Sequence, residues 1–260
     1  MSQDVMAAVA ARLREAETTL RPVAPFAHEL GIGNVAAAYA VQRTNVKHWK
    51  SSGRRQVGRK IGLTSKTVQQ QLGVAHPDYG TLFSDMEIAH GHGIERDKLI
   101  MPRVEAEIAV VLERDILNAD VTMAEVIRAV AFVVTALEIV DSRIKDWQIS
   151  AVDTIADNGA SSRFVLGLES RRIQDIDLEN CGMTLLRNGE IASVGTGSAC
   201  LGHPLKAVLW LARTLVKHGE PLETGDIVLT GALGPMVDAR SGDFFEGRIG
   251  GLSAVRLRFN

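Results

Sequence analysis

The sequence predicts an α+β fold in which helices come first and strands mostly follow. Helical periodicity dominates the first fifty residues, the later chain reads mainly as short strands separated by turns, and regular strand–helix–strand alternation is missing. The first helix is marked by Val5, Val9, Leu13, Ala16 and Leu20. A Pro-containing linker, residues 21–25, separates it from a second helix that starts at an Asn34 cap and stops at Gly53. The character changes there, which divides the chain into a helical segment, 1–53, and a core, 54–260. Residues 56–63 read as a strand, and 64–72 as a short helix capped by Thr64 and ended by Gly73. Glycine, proline and histidine then dominate residues 75–102 without sustained periodicity, the pattern of long loops, one of which could cover a site.

After these loops come a strand over 103–112, a helix over 122–128 and a strand containing Glu138. Residues 141–163 are polar and irregular. In the last hundred residues one helix interrupts the strands, with Leu205, Val208, Leu209, Ala212, Leu215 and Val216 on one face and Gly219 just past its end. Strands continue over 226–230 and 252–259. Composition narrows the function: 260 residues can bury a large core, and a net charge of −2 offers no field for nucleic acid. The longest apolar stretch, 130–137, is far short of a bilayer span, so no membrane role is expected. Cys181 and Cys200 form no CxxC pair and the N-terminus has no leader-like apolar run, which points to a reduced, cytoplasmic protein.

The chemistry is concentrated in Glu105, Glu107 and Glu138. On an extended strand, alternate side chains share a face, so Glu105 and Glu107 stand together while Val104, Ala106 and Ile108 pack behind them. A lone Glu-x-Glu is ordinarily a solvated strand face; Glu138, also inside an apolar run, argues against that here. Three buried carboxylates suit a hard divalent cation and would leave about three of roughly six octahedral positions for water and substrate. Lys60 alternates with Gly58 and Gly62, whose missing side chains would let a ligand approach the backbone, and could bind an anion or move protons. Asp78 is an acid/base candidate within a segment that otherwise reads as a turn.

Other motifs carry less. Gly195-Thr-Gly197 and Gly31-Ile-Gly33 lack the third glycine of a dinucleotide fingerprint and read as turns, and His90-Gly-His92 reads as a surface tract. Ser161-Ser162 lies in no nucleophile elbow, and the cysteines read as core residues.

The segments Gly58-Arg-Lys-Ile-Gly-Leu-Thr64, Val68-Gln-Gln-Gln-Leu-Gly73, Pro77-Asp-Tyr-Gly-Thr-Leu-Phe83, Pro102-Arg-Val-Glu-Ala-Glu-Ile108, Glu138-Ile-Val-Asp-Ser-Arg143 and Leu229-Thr-Gly-Ala-Leu-Gly-Pro-Met236 form a recognisable set. Together they resemble the 2-keto-4-pentenoate hydratases of the fumarylacetoacetate hydrolase superfamily. The resemblance implies a mixed β-roll core with an N-terminal helical part, Mg²⁺ or Mn²⁺, and a homo-oligomer, pentameric or decameric. It places metal ligands at Glu105, Glu107 and Glu138, catalytic roles at Lys60 and Asp78, and substrate-binding roles at Ser161 and Thr230. One departure stands out: Asp157-Asn-Gly-Ala-Ser161 puts Ala160 where relatives carry a pocket serine, so either Ser161 substitutes for it or that hydroxyl is dispensable.

The activity implied is hydration of 2-hydroxypenta-2,4-dienoate to 4-hydroxy-2-oxopentanoate in meta-cleavage of aromatic compounds. Alternatives are 4-oxalocrotonate decarboxylation and hydration of a substituted dienoate such as 2-hydroxyhexa-2,4-dienoate. A non-catalytic subunit in a hydratase–decarboxylase assembly is a further alternative, against which the intact carboxylate set argues. Association with the next pathway enzyme or a decarboxylase is also implied.

Overall fold

The computed structural model describes residues 2–71 and 74–260. Helix α1 (Gln3–Thr19) begins where the Ser2 hydroxyl accepts from the Val5 N–H, and buries Val9, Ala10, Leu13 and Ala16. Leu20 leaves it in a left-handed conformation. After a one-turn helix, α2 (Ala27–Leu30), the Asn34 side chain accepts from the Ala37 N–H and caps α3 (Val35–Ser51), as expected. Gln42 of α3 donates to the carbonyls of Tyr79 and Ile155 at 2.8 and 2.9 Å, tying the helical segment to the core.

Beyond α3 the chain builds two mixed sheets. The larger contains β1 (Gln56–Gly62), β2 (Asp78–Phe83), β4 (Pro102–Leu112), β5 (Val130–Asp141), β6 (Ser161–Leu166) and β9 (Ile227–Leu229), in the order β2-β1-β9-β4-β5-β6, and the short β10 (Val237–Asp238) also pairs with β4. The smaller has the order β3-β12-β11-β7-β8, built from β3 (Gly93–Ile94), β7 (Gly182–Arg187), β8 (Glu190–Thr196), β11 (Phe244–Ile249) and β12 (Val255–Phe259). β1 with β9 and β3 with β12 are parallel; the other pairings are antiparallel. The α+β expectation holds, with a curled sheet as the scaffold.

The main core lies between the sheets. Val104, Ala106, Ile108 and Val110 on one face of β4, and Leu137 and Ile139 of β5, meet Phe245, Val255, Leu257 and Phe259. Full burial of each such side chain contributes about 1.5–3 kcal/mol. The opposite face of β4 carries Arg103, Glu105, Glu107 and Ala109. A smaller apolar cluster, with Phe83, Met86, Ala109, Val134, Ala136, Phe164 and Leu229, continues that side, and Val46 and Trp49 of α3 pack against it.

Four sequence expectations need correction. Residues 75–102 are not only long loops: β2 lies there, with all six residues buried. Buried on both faces, it shows no apolar/polar alternation to read. The polar stretch 141–163 contains α6 (Ala151–Ala156), closed by a Ser150–Asp153 capping box. The helix expected over 64–72 is α4 (Lys66–Gln71), so Thr64 is not its cap but a buried residue beside Gly231; the expected stop at Leu72 and Gly73 lies outside the described residues. Gly195 sits in β8 rather than in a turn. The remaining helices, α5 (Met123–Ala129), capped by Thr122, and α7 (Pro204–Lys217), with Gly219 at φ +73° just beyond it, match their expected spans closely.

Candidate functional site

The register of the central hairpin assembles the carboxylates. β4 and β5 pair antiparallel with Glu105 opposite Glu138, and Glu107 is two residues along on the same face as Glu105. One carboxylate oxygen from each of Glu105, Glu107 and Glu138 lies within 4.8 Å of the other two. Glu107 and Glu138 have no solvent contact, whereas Glu105 keeps some, so the cluster opens on the Glu105 side. An octahedral ion of magnesium size, with bonds of about 2.1 Å, spans oxygens about 3–4 Å apart, a separation comparable with that of this trio.

Hydrogen bonding shows the same incompleteness. Glu107 Oε2 accepts from the Gly231 N–H at 2.8 Å, while its Oε1 finds no partner among the described residues. Among the described residues neither oxygen of Glu138 has a well-formed hydrogen bond, and Oε2 is held by its ion pair with Lys60 Nζ at 3.3 Å. Orphaned buried carboxylate oxygens are costly in a protein interior and are what a bound cation would satisfy. Burial raises all three carboxyls, against the pull of Lys60: Glu105 to about 7, Glu107 well above the usual range, Glu138 upward. The donor set is all hard oxygen, which suits Mg²⁺ or Mn²⁺.

Lys60 and Asp78 complete the cluster. Burial alone would lower the Lys60 ammonium, but Glu138, Asp78, Glu105 and Glu107 together outweigh it and hold Lys60 above the ordinary lysine value. Nζ also donates to the Gly159 carbonyl at 3.0 Å. Asp78, buried on β2 and paired in register with Gly62, has its carboxyl raised by burial despite the nearby Lys60. The space left by Gly62 is taken by protein rather than held open for ligand. A Cβ there would lie 2.2 Å from Asp78 Oδ1 and 3.5 Å from Lys60 Nζ. The space beside Gly58 is likewise filled, by the Ile227 backbone.

A turn without an evident sequence signal positions Lys60. Asn158, Gly159 and Ala160 all have left-handed φ values, 55°, 64° and 56°. Three successive residues in that region, two of them not glycine, persist only where the surroundings impose them. Here the Asn158 side chain accepts from the Thr81 N–H at 2.7 Å and donates to the Thr81 carbonyl at 3.0 Å. Arg143, almost fully buried, pairs with Asp157 at 2.6 Å and donates to the Asp141 and Ser161 carbonyls. Thr81 and Arg143 lie in two of the recognisable segments, but only the fold shows that they and the Asn158 turn aim the Gly159 carbonyl at Lys60.

Ser161 and Thr230 are placed differently. Ser161 Oγ is buried beside Glu138 without a well-formed hydrogen bond to any described protein group. Thr230 Oγ1 donates to the Ile108 carbonyl at 2.9 Å, so its hydrogen is committed to the scaffold, and its carbonyl accepts from Cys200 Sγ. The next residue, Gly231, has φ +110° and abuts Thr64: a Cβ there would lie 2.4 Å from Thr64 Oγ1. That close approach requires glycine and delivers the N–H to Glu107. The Cys200 thiol is pushed up to about 12 by burial and by Glu107, which makes it a poor nucleophile.

A family model described as fumarylacetoacetate (FAA) hydrolase, C-terminal, matches residues 38–260. The chain belongs to the fumarylacetoacetate hydrolase family. It is 50% identical over 261 residues to "2-keto-4-pentenoate hydratase 2" of Dechloromonas aromatica (strain RCB), covering 100% of both chains. It is also 50% identical to "2-keto-4-pentenoate hydratase" of Burkholderia vietnamiensis, over 100% of this chain and 99% of that one. Among solved structures, 4-oxalocrotonate decarboxylase from Pseudomonas putida G7, complexed with magnesium and adipate, superposes with a TM-score of 0.96 at 32% identity, over 100% of this chain and 99% of that one.

Proposed function

We propose that this chain is a metal-dependent hydratase that converts 2-hydroxypenta-2,4-dienoate and water to 4-hydroxy-2-oxopentanoate in the meta-cleavage degradation of aromatic compounds. The observation that carries this is the trio Glu105, Glu107 and Glu138, facing Lys60, in a chain half identical along its whole length to named 2-keto-4-pentenoate hydratases. Glu105, Glu107 and Glu138 would hold an Mg²⁺ or Mn²⁺ ion, which would supply Lewis-acid stabilisation of the substrate's developing negative charge. The chain's own residues supply the rest.

Lys60 stays an ammonium and stabilises negative charge on the substrate as the dienol loses its C2 hydroxyl proton and C5 gains one. The resulting 2-oxo-3-enoate then takes hydroxyl at C4 and hydrogen at C3. Asp78, whose carboxyl is raised by burial and lies beside Lys60, carries that movement. Ser161, whose hydroxyl lies beside Glu138, is the substrate-binding candidate at that carboxylate, and Thr230 the one at the Gly231 side.

Residues 54–260 carry this chemistry, and residues 1–53 brace β2 through Gln42. A pentameric or decameric homo-oligomer, a cytoplasmic location and association with the next pathway enzyme or a decarboxylase complete the reading; light scattering tests the oligomer. Among the described residues, no helix is long and apolar enough to cross a membrane. A second reading, decarboxylation of 4-oxalocrotonate, is favoured by the TM-score of 0.96 to the Pseudomonas decarboxylase. Turnover in ¹⁸O-labelled water separates the two: one label appearing at C4 supports hydration, and CO₂ release from 4-oxalocrotonate without hydration supports the other. Hydration of 2-hydroxyhexa-2,4-dienoate in preference would extend the pocket to a longer tail.

A further inference from the structure

Arg103 is the outermost member of the row Arg103, Glu105, Glu107 that β4 turns to one face, and it lies next to Glu105, on the open side of the cluster. Its guanidinium is fixed from two sides. Nε donates to Asp238 Oδ1 of β10 at 2.8 Å, and the group lies over the Trp147 ring, 4.4 Å from the centroid. Nη1 reaches only the Met236 sulfur, at 3.8 Å, and no described residue accepts a hydrogen bond from Nη2. Trp147 is held beneath it by a strained backbone: Asp146 and Trp147 have φ values of 55° and 54°. The ring is tethered by Nε1 donating to the Met101 carbonyl at 3.0 Å. Two successive non-glycine residues in the left-handed region are a costly way to place a half-exposed ring, and such strain concentrates where a ligand is gripped.

The site also has an electrostatic need. The carboxyl groups of Asp78, Glu105, Glu107 and Glu138 gather around Lys60, and an anionic substrate has to enter beside them. We propose that Arg103, oriented by Trp147 and Asp238, is a substrate-binding residue that takes the carboxylate of the incoming 2-oxo or 2-hydroxy acid at the Glu105 side. This rests on the reading of the site as one for 2-hydroxydienoates. A planar guanidinium whose Nη1 is engaged by sulfur alone and whose Nη2 has no acceptor among the described residues matches a carboxylate, and its stacked ring fixes the plane in which it does so.

The test compares the wild type with Arg103→Met, Arg103→Lys and Trp147→Ala, using Mg²⁺ alone, oxalate added to Mg²⁺-loaded protein, and dienoate turnover. Loss of a charge-assisted pair should weaken oxalate binding to Arg103→Met at least about tenfold and raise KM similarly, with kcat within about threefold. Mg²⁺ alone should bind as well or up to about tenfold more tightly, because a positive charge beside Glu105 has gone. Arg103→Lys, with charge but no fork, and Trp147→Ala, with no platform, should fall between. Unchanged oxalate affinity and KM in Arg103→Met would overturn the proposal, as would joint loss of Mg²⁺ affinity and melting temperature in all three variants, the mark of a structural clamp between β10 and β4. A wild type that binds oxalate with Mg²⁺ but hydrates no dienoate would defeat the functional reading alone, since the oxalate comparison still decides on Arg103.

Discussion

Lys60→Met keeps the length of the side chain and removes its charge, so it isolates the electrostatic part of the site. Lys60 Nζ lies 3.3 Å from Glu138 Oε2, and the side chain is 4% exposed. At an effective dielectric of about 20, unit charges at that separation attract by about 5 kcal/mol. Desolvation offsets part of this, and breaking a buried pair by removing one partner costs about 3–5 kcal/mol. For a chain of 260 residues, a loss of about 3 kcal/mol corresponds to about 6 °C in melting temperature.

The pH dependence has a definite sign. The carboxyls are already raised by burial, Glu105 to about 7. Without Lys60 they rise further and take up protons, so the deficit should be largest above about pH 7 and shrink as pH falls through that value. A divalent ion replaces the lost charge, so the variant should bind Mg²⁺ about tenfold more tightly than the wild type, while turnover falls at least about 100-fold. Calorimetric melting at about pH 6 and about pH 8, with and without Mg²⁺, measures the first two effects. Wild-type melting at both pH values together with unchanged Mg²⁺ affinity would refute this electrostatic role.

Glu107→Gln should weaken Mg²⁺ binding more than about 100-fold, beyond what removal of a merely supporting group costs, and abolish hydration. In EDTA at about pH 8 its melting temperature should hold or rise, because a neutral amide replaces a carboxyl whose charged form burial disfavours, while its oxygen still accepts from Gly231; a fall would contradict this. Gly62→Ala drives a Cβ to 2.2 Å from Asp78 Oδ1, and urea unfolding should show a loss of about 1–3 kcal/mol with reduced turnover; a neutral substitution would mean that this packing is wrong. Metal affinity of the wild type should fall as pH drops below about 7, where Glu105, raised to about 7 by burial, takes up a proton. Titration calorimetry in buffers of different ionisation enthalpy should show proton release on binding, and an affinity flat between about pH 6 and about pH 8 would contradict it.

Period and spacing made part of the fold and site legible in the sequence. The two-residue alternation around Glu105 and Glu107 placed both on one face, and the Asn34 cap, the Gly53 stop and the apolar stripe from Leu205 to Val216 bounded their helices. Features that depend on tertiary context stayed hidden. β2 is buried along its whole length, so Asp78 looked like a turn residue. α6 is six residues long, too short for a periodic signal, although its Ser150–Asp153 box was there to be read. The glycines flanking Lys60 suggested room for ligand, and only packing shows that Asp78 and the Ile227 backbone fill it. The Asn158–Ala160 turn carries no local signature of three left-handed residues, since Arg143 and Thr81 impose that conformation from elsewhere in the chain.

Whether the carboxylate trio makes this chain a metal-dependent hydratase is tested most directly by ultraviolet absorbance of freshly generated 2-hydroxypenta-2,4-dienoate, followed with purified protein in EDTA and then with excess Mg²⁺. No enzymatic loss of the diene is expected in EDTA, and rapid loss once Mg²⁺ is restored, with a product heavier than the substrate by one water. Loss of the diene at the same rate in EDTA, or no hydrated product with Mg²⁺ present, would contradict that role for the trio.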